Sequence, residues 1–168
     1  MSWIMEIERT LVAIKPDGVK RGLVGEIIKR LERSGLKILT MKMIWVDKKF
    51  GENHYFDVEE RHGKRVFDEL VGYISEGPVI AICLEGVEAI SVTRKIVGST
   101  YPSEALPGTI RGDFCHISKD YANKHKKTVE NLIHASANEE DAKKELALWF
   151  SIEELHEYKK TDEKHFFK

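Results

Sequence analysis

Cysteine is scarce in this chain of 168 residues, which holds only Cys83 and Cys115. Both sit in alternating apolar runs, where a buried thiol is a better reading than a disulfide framework or a metal site, and a reducing compartment suits them. No stretch of about 18 apolar residues occurs, and the opening Met-Ser-Trp-Ile-Met-Glu lacks a basic region leading into a long apolar one. Secretion and membrane insertion are therefore not expected, and a cytoplasmic protein is. Neither sign of charge is in excess: 27 basic and 28 acidic residues leave a net charge of -1. That removes the broad basic field of a general nucleic-acid binder and points to small partners, although a local patch can still hold phosphate. Proline is sparse, with four residues, and the twelve glycines are spread without a linker, repeat or low-complexity tract. With 42 % hydrophobic residues, residues 1–168 are expected to form one domain around one core.

Several familiar devices are missing as well. Neither a Gly-x-x-x-x-Gly-Lys-Ser/Thr loop nor a Gly-x-Gly-x-x-Gly turn is present, so phosphate binding needs another construction. His-Glu-x-x-His is absent, and the seven histidines show no zinc-like cadence, so a transition-metal site is not expected.

What is there reads as alternating strands and helices. Residues 9–15, Arg-Thr-Leu-Val-Ala-Ile-Lys, form a buried strand stopped by the turn sequence Pro16-Asp17-Gly18. Over 19–34, Leu23, Val24, Ile27, Ile28 and Leu31 recur at helical spacing, with Gly35 as a C-cap. Residues 36–46 alternate as a second strand with one wetter face, and 47–62 support only short helical turns. A helix over 64–76 leads through Gly77-Pro78 into a third strand at 79–84, and a further helix over 87–98 precedes an irregular stretch to 113. A fourth strand is expected over 114–118. Residues 119–130 carry Lys119, Lys124, His125, Lys126 and Lys127 and suit a charged surface hairpin or short helix. A helix then starts after Asn138, and the chain ends in a short polar tail around 159–164. The pattern predicts an α+β fold, a ferredoxin-like sandwich with a four-stranded antiparallel sheet covered by helices. A three-layer domain with a parallel sheet is the alternative, against which the wet second strand argues.

The chemistry-bearing residues are few. Lys15 stands at a strand end, Arg94 late in a helix and Arg111 in the loop Gly-Thr-Ile-Arg-Gly-Asp. Converging, they would clamp a polyphosphate; apart, they are surface cations. His134 sits in a short apolar and small-residue run, with Ser136 two residues on and Glu145 eleven on. An imidazole there suits a nucleophile at neutral pH if a carboxylate on its other nitrogen fixes the tautomer. On these residues alone, a half-buried histidine with a backbone partner is the commoner outcome.

Four separated motifs resemble, in order, those of the nucleoside diphosphate kinase family. They are Glu8-Arg9-Thr10-Leu11-Val12-Ala13-Ile14-Lys15-Pro16-Asp17-Gly18-Val19, Ser75-Glu76-Gly77-Pro78-Val79, Pro107-Gly108-Thr109-Ile110-Arg111-Gly112-Asp113-Phe114 and Asn131-x-x-His134-x-Ser136. The resemblance runs over roughly residues 6–158 and implies the ferredoxin-like core and a ping-pong reaction. ATP would phosphorylate His134, which would then phosphorylate a nucleoside diphosphate. It implies Nδ1 of His134 as nucleophile, Glu145 on Nε2 and Ser136 nearby. Lys15 and Asn131 would meet the ribose hydroxyls, with Lys15 also near the transferring phosphate, and Tyr55, Arg94, Thr100 and Arg111 would lie along the phosphates. Beside these stand plainer roles: Tyr55 as a half-buried core aromatic, Thr100 as a loop cap and Ser136 as a helix cap. Magnesium is expected with the triphosphate, held mainly by phosphate and water, and no protein metal ligand is assigned. A homo-oligomer is expected, a dimer at least and a hexamer by resemblance; an exposed sheet edge needs protection, and symmetric pairing through the second strand, residues 36–46, would supply it.

The chain departs from the family pattern in three places. Ala137 stands where the family often has Asp. Val66, before Phe67, replaces an aromatic ring that stacks on the base. An extra stretch of about ten residues falls within 119–130, where Asn123, Lys124 or His125 could reach a base.

Overall fold

The structure is a computed structural model that describes residues 7–166, so the N-terminal Met1 to Glu6 lies outside the described residues. In chain order the elements are β1 (Ile7–Ile14), α1 (Pro16–Lys20), α2 (Val24–Arg33), β2 (Lys37–Ile44), α3 (Lys48–His54), α4 (Val58–His62) and α5 (Lys64–Ser75). Then follow β3 (Val79–Val87), α6 (Ala89–Val97), a 3₁₀ turn (Pro102–Glu104), α7 (Ile110–Phe114), α8 (Lys119–Lys124) and β4 (Ile133–Ala135). The chain closes with α9 (Glu139–Trp149), a second 3₁₀ turn (Ile152–Glu154) and α10 (Glu163–Phe166).

The strands lie in the order β2-β3-β1-β4, all neighbours antiparallel, as the sandwich requires and the parallel alternative does not. β1 is apolar at every position from Leu11 to Ile14 because both faces of the sheet are covered. Val12 and Ile14 point to a layer with Ile27 and Leu31 of α2 and Val97 of α6. Leu11 and Ala13 point to the opposite layer, with Val71 and Ile74 of α5 and Trp149 of α9. Residues 19–34 do not make one helix: Gly22, at φ 68°, separates α1 from α2. Pro16-Asp17-Gly18, expected as a turn, instead begins α1, with Pro16 in its first turn, where its missing N–H costs nothing.

The fourth strand is not at 114–118. Thr109 caps α7 by accepting from the Gly112 N–H at 3.0 Å, and that helix runs through Phe114. The fourth strand is β4, three residues long, and pairs Ala135, His134 and Ile133 with Val12, Ala13 and Ile14 of β1. His134 is therefore on the sheet itself, and the 119–130 stretch precedes the fourth strand. Cys83 is fully buried as expected, whereas Cys115 follows α7 half-exposed and donates its thiol to the Glu130 carbonyl at 3.2 Å. Among the described residues no helix is long and apolar enough to cross a membrane.

Candidate active site

The strand register decides where His134 points. Ile133 and Ala135 join the α2/α6 layer, so His134 between them faces the α5/α9 side. Its partner across β1 is Ala13, whose small side chain leaves room for an imidazole on that face. On α9, Ala142, Glu145 and Trp149 are the buried positions, at spacings of three and four, so one helix face brings Glu145 to His134. Nε2 of His134 lies 2.7 Å from Glu145 Oε1, and Ser136 Oγ donates to Glu145 Oε2 at 2.6 Å. An ionised carboxylate only accepts, so Nε2 carries the ring proton and Nδ1 keeps a free lone pair. Ser136 also accepts from the Leu11 N–H at 3.2 Å, which ties the Glu145 carboxylate to β1. It is not the helix cap: Asn138 takes that place, accepting from the Asp141 N–H at 2.9 Å.

The backbone before β4 is strained. Leu132 is buried with φ 71°, a left-handed conformation that costs a branched side chain about 1–3 kcal/mol. Two groups hold it: its carbonyl accepts from the Lys15 N–H at 2.8 Å, and its N–H donates to Asp17 Oδ2 at 3.1 Å. Tyr73 donates its hydroxyl to Asp17 Oδ1 at 2.5 Å, and burial followed by Asp17 raises the phenol's pKa, so it stays a donor. Gly18 permits this closeness, since a Cβ there would sit 2.9 Å from the Leu132 carbonyl oxygen. Asp17 and Tyr73 were not singled out from the sequence. Asp17 lies in what reads as a turn and Tyr73 in the helix expected over 64–76, and only the fold joins them.

A cavity of about 280 Å³ opens in front of His134. It is lined by Lys15, Tyr55, Arg94, Thr100, Arg111 and Asn131, every polar residue expected to meet ribose or phosphate. Leu70 lines it too, whereas Val66 and Phe67 stand about one turn earlier on α5, packed on the apolar layer and outside the cavity wall. Lys15 donates to Asn131 Oδ1 at 2.8 Å, and Asn131 Nδ2 donates to the Thr100 carbonyl at 2.8 Å. Thr100 is thus held through its backbone and leaves its side chain exposed. The Tyr55 hydroxyl is buried without a partner, and burial, then Glu145, raises its pKa. Arg111 donates to the carbonyls of Asn131 (3.2 Å), Gly98 (3.0 Å), Ser99 (3.1 Å) and Ile133 (2.6 Å). Burial, reinforced by Arg94, pulls its pKa down to about 10. Arg94 makes no side-chain hydrogen bond among the described residues. Asn123, Lys124 and His125 are exposed around the end of α8 and are not part of the cavity wall.

Lys15 is 5 % exposed, and burial, with Arg111 adding, pulls its pKa from 10.5 to about 7 against the opposing pull of Asp17. Between about pH 7 and 10.5 the unfolded chain therefore binds more protons at this site than the folded one, so stability rises with pH there. Below that window both states are protonated and the full cost of burying the charge remains. Replacing Lys15 by Met is expected to flatten the ligand-free Tm curve between pH 7 and 10, and an unchanged slope contradicts it. A bound phosphate would pull the proton back, so nucleotide affinity of the wild type is expected to fall as pH rises above 7.

Comparison with known proteins shows the family. The family model described as nucleoside diphosphate kinase matches residues 8–155. A nucleoside diphosphate kinase of Borreliella burgdorferi is 46 % identical over 95 % of this chain and 96 % of its own. One from Pyrococcus furiosus is 49 % identical over 93 % and 91 %. Among solved structures, a transition-state mimic of the Borrelia burgdorferi enzyme with bound vanadate and ADP superposes with a TM-score of 0.93. It is 45 % identical and covers 96 % of this chain and 97 % of that one. The Halobacterium salinarum enzyme in complex with CDP gives a TM-score of 0.84 at 36 % identity, covering 97 % and 100 %. The match takes in every residue of the cavity and nearly the full length of these relatives, so the chain belongs to the nucleoside diphosphate kinase family and is an enzyme that transfers phosphate between nucleotides.

Proposed function

We propose that the transfer runs in two steps through His134, with the whole chain acting as one cytoplasmic domain. The observation that carries this reading is the bond from His134 Nε2 to Glu145, which leaves the Nδ1 lone pair free on a side chain that lines a cavity with Lys15, Arg94 and Arg111. In the first step Nδ1 attacks the terminal phosphorus of ATP, the bond to the bridging oxygen breaks, and ADP leaves. The ring keeps its Nε2 proton throughout, and Glu145 offsets the positive charge that develops on it. In the second step a terminal oxygen of a nucleoside diphosphate attacks the same phosphorus and the N–P bond breaks. Lys15, Arg94 and the one Arg111 N–H not spent on carbonyls offset charge on the phosphoryl oxygens. The unpaired Tyr55 hydroxyl supplies a further donor there, and Lys15 and Asn131 meet the ribose. The transition-state mimic of the Borrelia enzyme, with its vanadate and ADP, supports this arrangement. Labelled ATP should leave an acid-labile, alkali-stable phosphate on His134 that an added diphosphate removes; phosphate mapped to Ser136 would reverse the assignment.

Magnesium would arrive on the triphosphate. The cavity wall contains no carboxylate, so its ligands would be phosphate oxygens and water, and it would supply positive charge to offset that of the phosphates.

Base discrimination is expected to be weak. Every polar group of the cavity is committed to ribose or phosphate, and Leu70, with Val66 and Phe67 beyond it, offers only apolar surface. Such surface accepts any ring, so kcat/KM for ADP, GDP, CDP and UDP on phosphorylated enzyme should agree within about tenfold, or about 1.4 kcal/mol. A hundredfold preference would overturn this and direct attention to Asn123, Lys124 and His125.

The protein is further proposed to be a homo-oligomer built on a dimer, with the hexamer as the assembly the family likeness favours. Edge strand β2 and the residue after it expose Met41, Met43 and Trp45 at alternate positions, 49 %, 63 % and 67 % accessible. The C-terminal segment already occupies the start of that edge, His156 N–H and Tyr158 hydroxyl donating to the Leu39 and Ile38 carbonyls. Pairing is thus confined to the later half of β2. Sedimentation should find no monomer at micromolar concentration, and Met43→Glu should release it; a wild-type monomer contradicts the proposal.

A further inference from the structure

His54 was not among the residues expected to act, yet it stands directly behind the nucleophile. It ends α3, is 4 % exposed, and its Nδ1 lies 3.2 Å from Nε1 of Trp149. An indole nitrogen only donates, so Nδ1 is the acceptor and the neutral ring carries its proton on Nε2. Burial, with His134 and Lys15 adding, holds the pKa of this ring well below 6.5, which keeps it neutral. Nε2 itself is buried without a hydrogen-bond partner. Phenylalanine would avoid that unpaired group but strand the Trp149 N–H; histidine is the residue that lets a flat ring be anchored here.

The ring so anchored meets His134 edge to face, with centroids 4.6 Å apart and planes at 78°. Glu145 holds His134 by one hydrogen bond, which fixes its tautomer but allows the ring to tilt about the Nε2–Oε1 line. A second ring in contact at right angles removes that tilt. We propose that His54 is a positioning residue for phosphoryl transfer: anchored by Trp149, it stands against the His134 ring and sets the plane in which Nδ1 meets phosphorus. The inference rests on His134 being the phosphate carrier. His54 acts through that ring and not on the nucleotide, since it is not part of the cavity wall. Glu145 and Trp149 share the inward face of α9, so one helix braces the nucleophile twice, once directly and once through His54.

Two variants separate the ring from its anchor. His54→Asn keeps an acceptor near the Nδ1 position for Trp149 and removes the ring edge; His54→Phe keeps the ring and strands the indole N–H. For His54→Asn, Tm is expected to stay close to wild type while kcat falls about 10- to 100-fold and nucleotide KM stays within about twofold, since misplacement penalises the transition state. The His134 ring resonances should broaden in that variant. For His54→Phe, Tm should fall while kcat stays within about fivefold. A His54→Asn enzyme with wild-type kcat, or a His54→Phe enzyme that loses kcat as far as His54→Asn, overturns the proposal. If His54→Asn does not fold, His54→Phe decides by the same criterion. The carrier reading is tested apart from this by mapping phosphate on the wild type. Phosphate away from His134 removes that reading, whereas phosphate on His134 beside a fully active His54→Asn enzyme removes only the role of His54.

Discussion

Replacing His134 by Gln is expected to abolish phosphoenzyme formation and to lower kcat/KM by about four orders of magnitude or more. The variant loses the Nδ1 lone pair that the Glu145 contact leaves free, while the six polar residues of the cavity proposed to meet ribose and phosphate remain. Nucleotide binding should therefore survive with a dissociation constant within about tenfold of wild type, because those contacts are made equally in the ground state. Stability should change little, since the side chain is only partly buried, a glutamine removes little volume, and its amide can still donate to Glu145. Labelling with ATP, calorimetric binding of ADP and thermal melting read the three outcomes separately. Turnover near the wild-type rate would remove His134 from the mechanism. Loss of binding together with turnover would mean that the side chain serves the shape of the cavity as much as the chemistry.

Replacing Arg111 by Lys is expected to be nearly as damaging as replacing it by Ala, and to act on stability as well as on activity. Its guanidinium spans the carbonyls of Gly98 and Ser99 after α6, of Asn131, and of Ile133 at the start of β4. It thereby stitches the loop after α6 to the segment that carries His134. A lysine has a point charge and no planar fork, so it cannot serve four carbonyls in three directions. Each buried acceptor left unpaired costs about 1–3 kcal/mol; in the alanine variant relief of a buried charge, whose pKa burial already pulls down to about 10, offsets part of that cost, whereas lysine keeps the charge. A net loss of about 2–4 kcal/mol corresponds to a Tm lower by roughly 5–15 °C in a chain of this size. Activity should fall together with Tm, since β4 and Leu132 shift with the loop. Arg94→Lys is the contrast: that side chain makes no comparable bonds, so its Tm should stay put while nucleotide KM rises. Equal melting temperatures for wild type and Arg111→Lys would show that the charge, and not the fork, is what the site requires.

The close fit of α7 to this loop has its own requirement. A Cβ on Gly112 would collide with the Leu106 carbonyl, so the turn that presents Arg111 can be built only with glycine at that position. The run Gly-Thr-Ile-Arg-Gly-Asp was legible as a loop with a cation in it, but nothing in it announces a helix of five residues. The reason is the cap. Thr109 converts what reads as an irregular stretch into a helix start; Phe114, expected to open the fourth strand, is the last residue of α7, and 115–118 join no strand of the sheet.

Local sequence determined a good deal of this protein. The apolar run of β1, the helical spacing of α2 and α5 and the alternation of β2 are one-dimensional patterns, and they sufficed for an antiparallel sheet covered by helices. The spacing of Asn131, His134, Ser136 and Glu145 was legible too, because the motif lies within fifteen residues of chain. Tertiary structure alone decided the rest. A strand of three residues with no β-branched run beyond Ile133 becomes β4 only because β1 offers it an edge. Asp17 meets Tyr73, and His54 meets Trp149, across tens of residues of chain, and no periodicity records either meeting. Their contacts depend on which face of a helix or strand is turned inward, and that is set when the layers pack, not when the elements form.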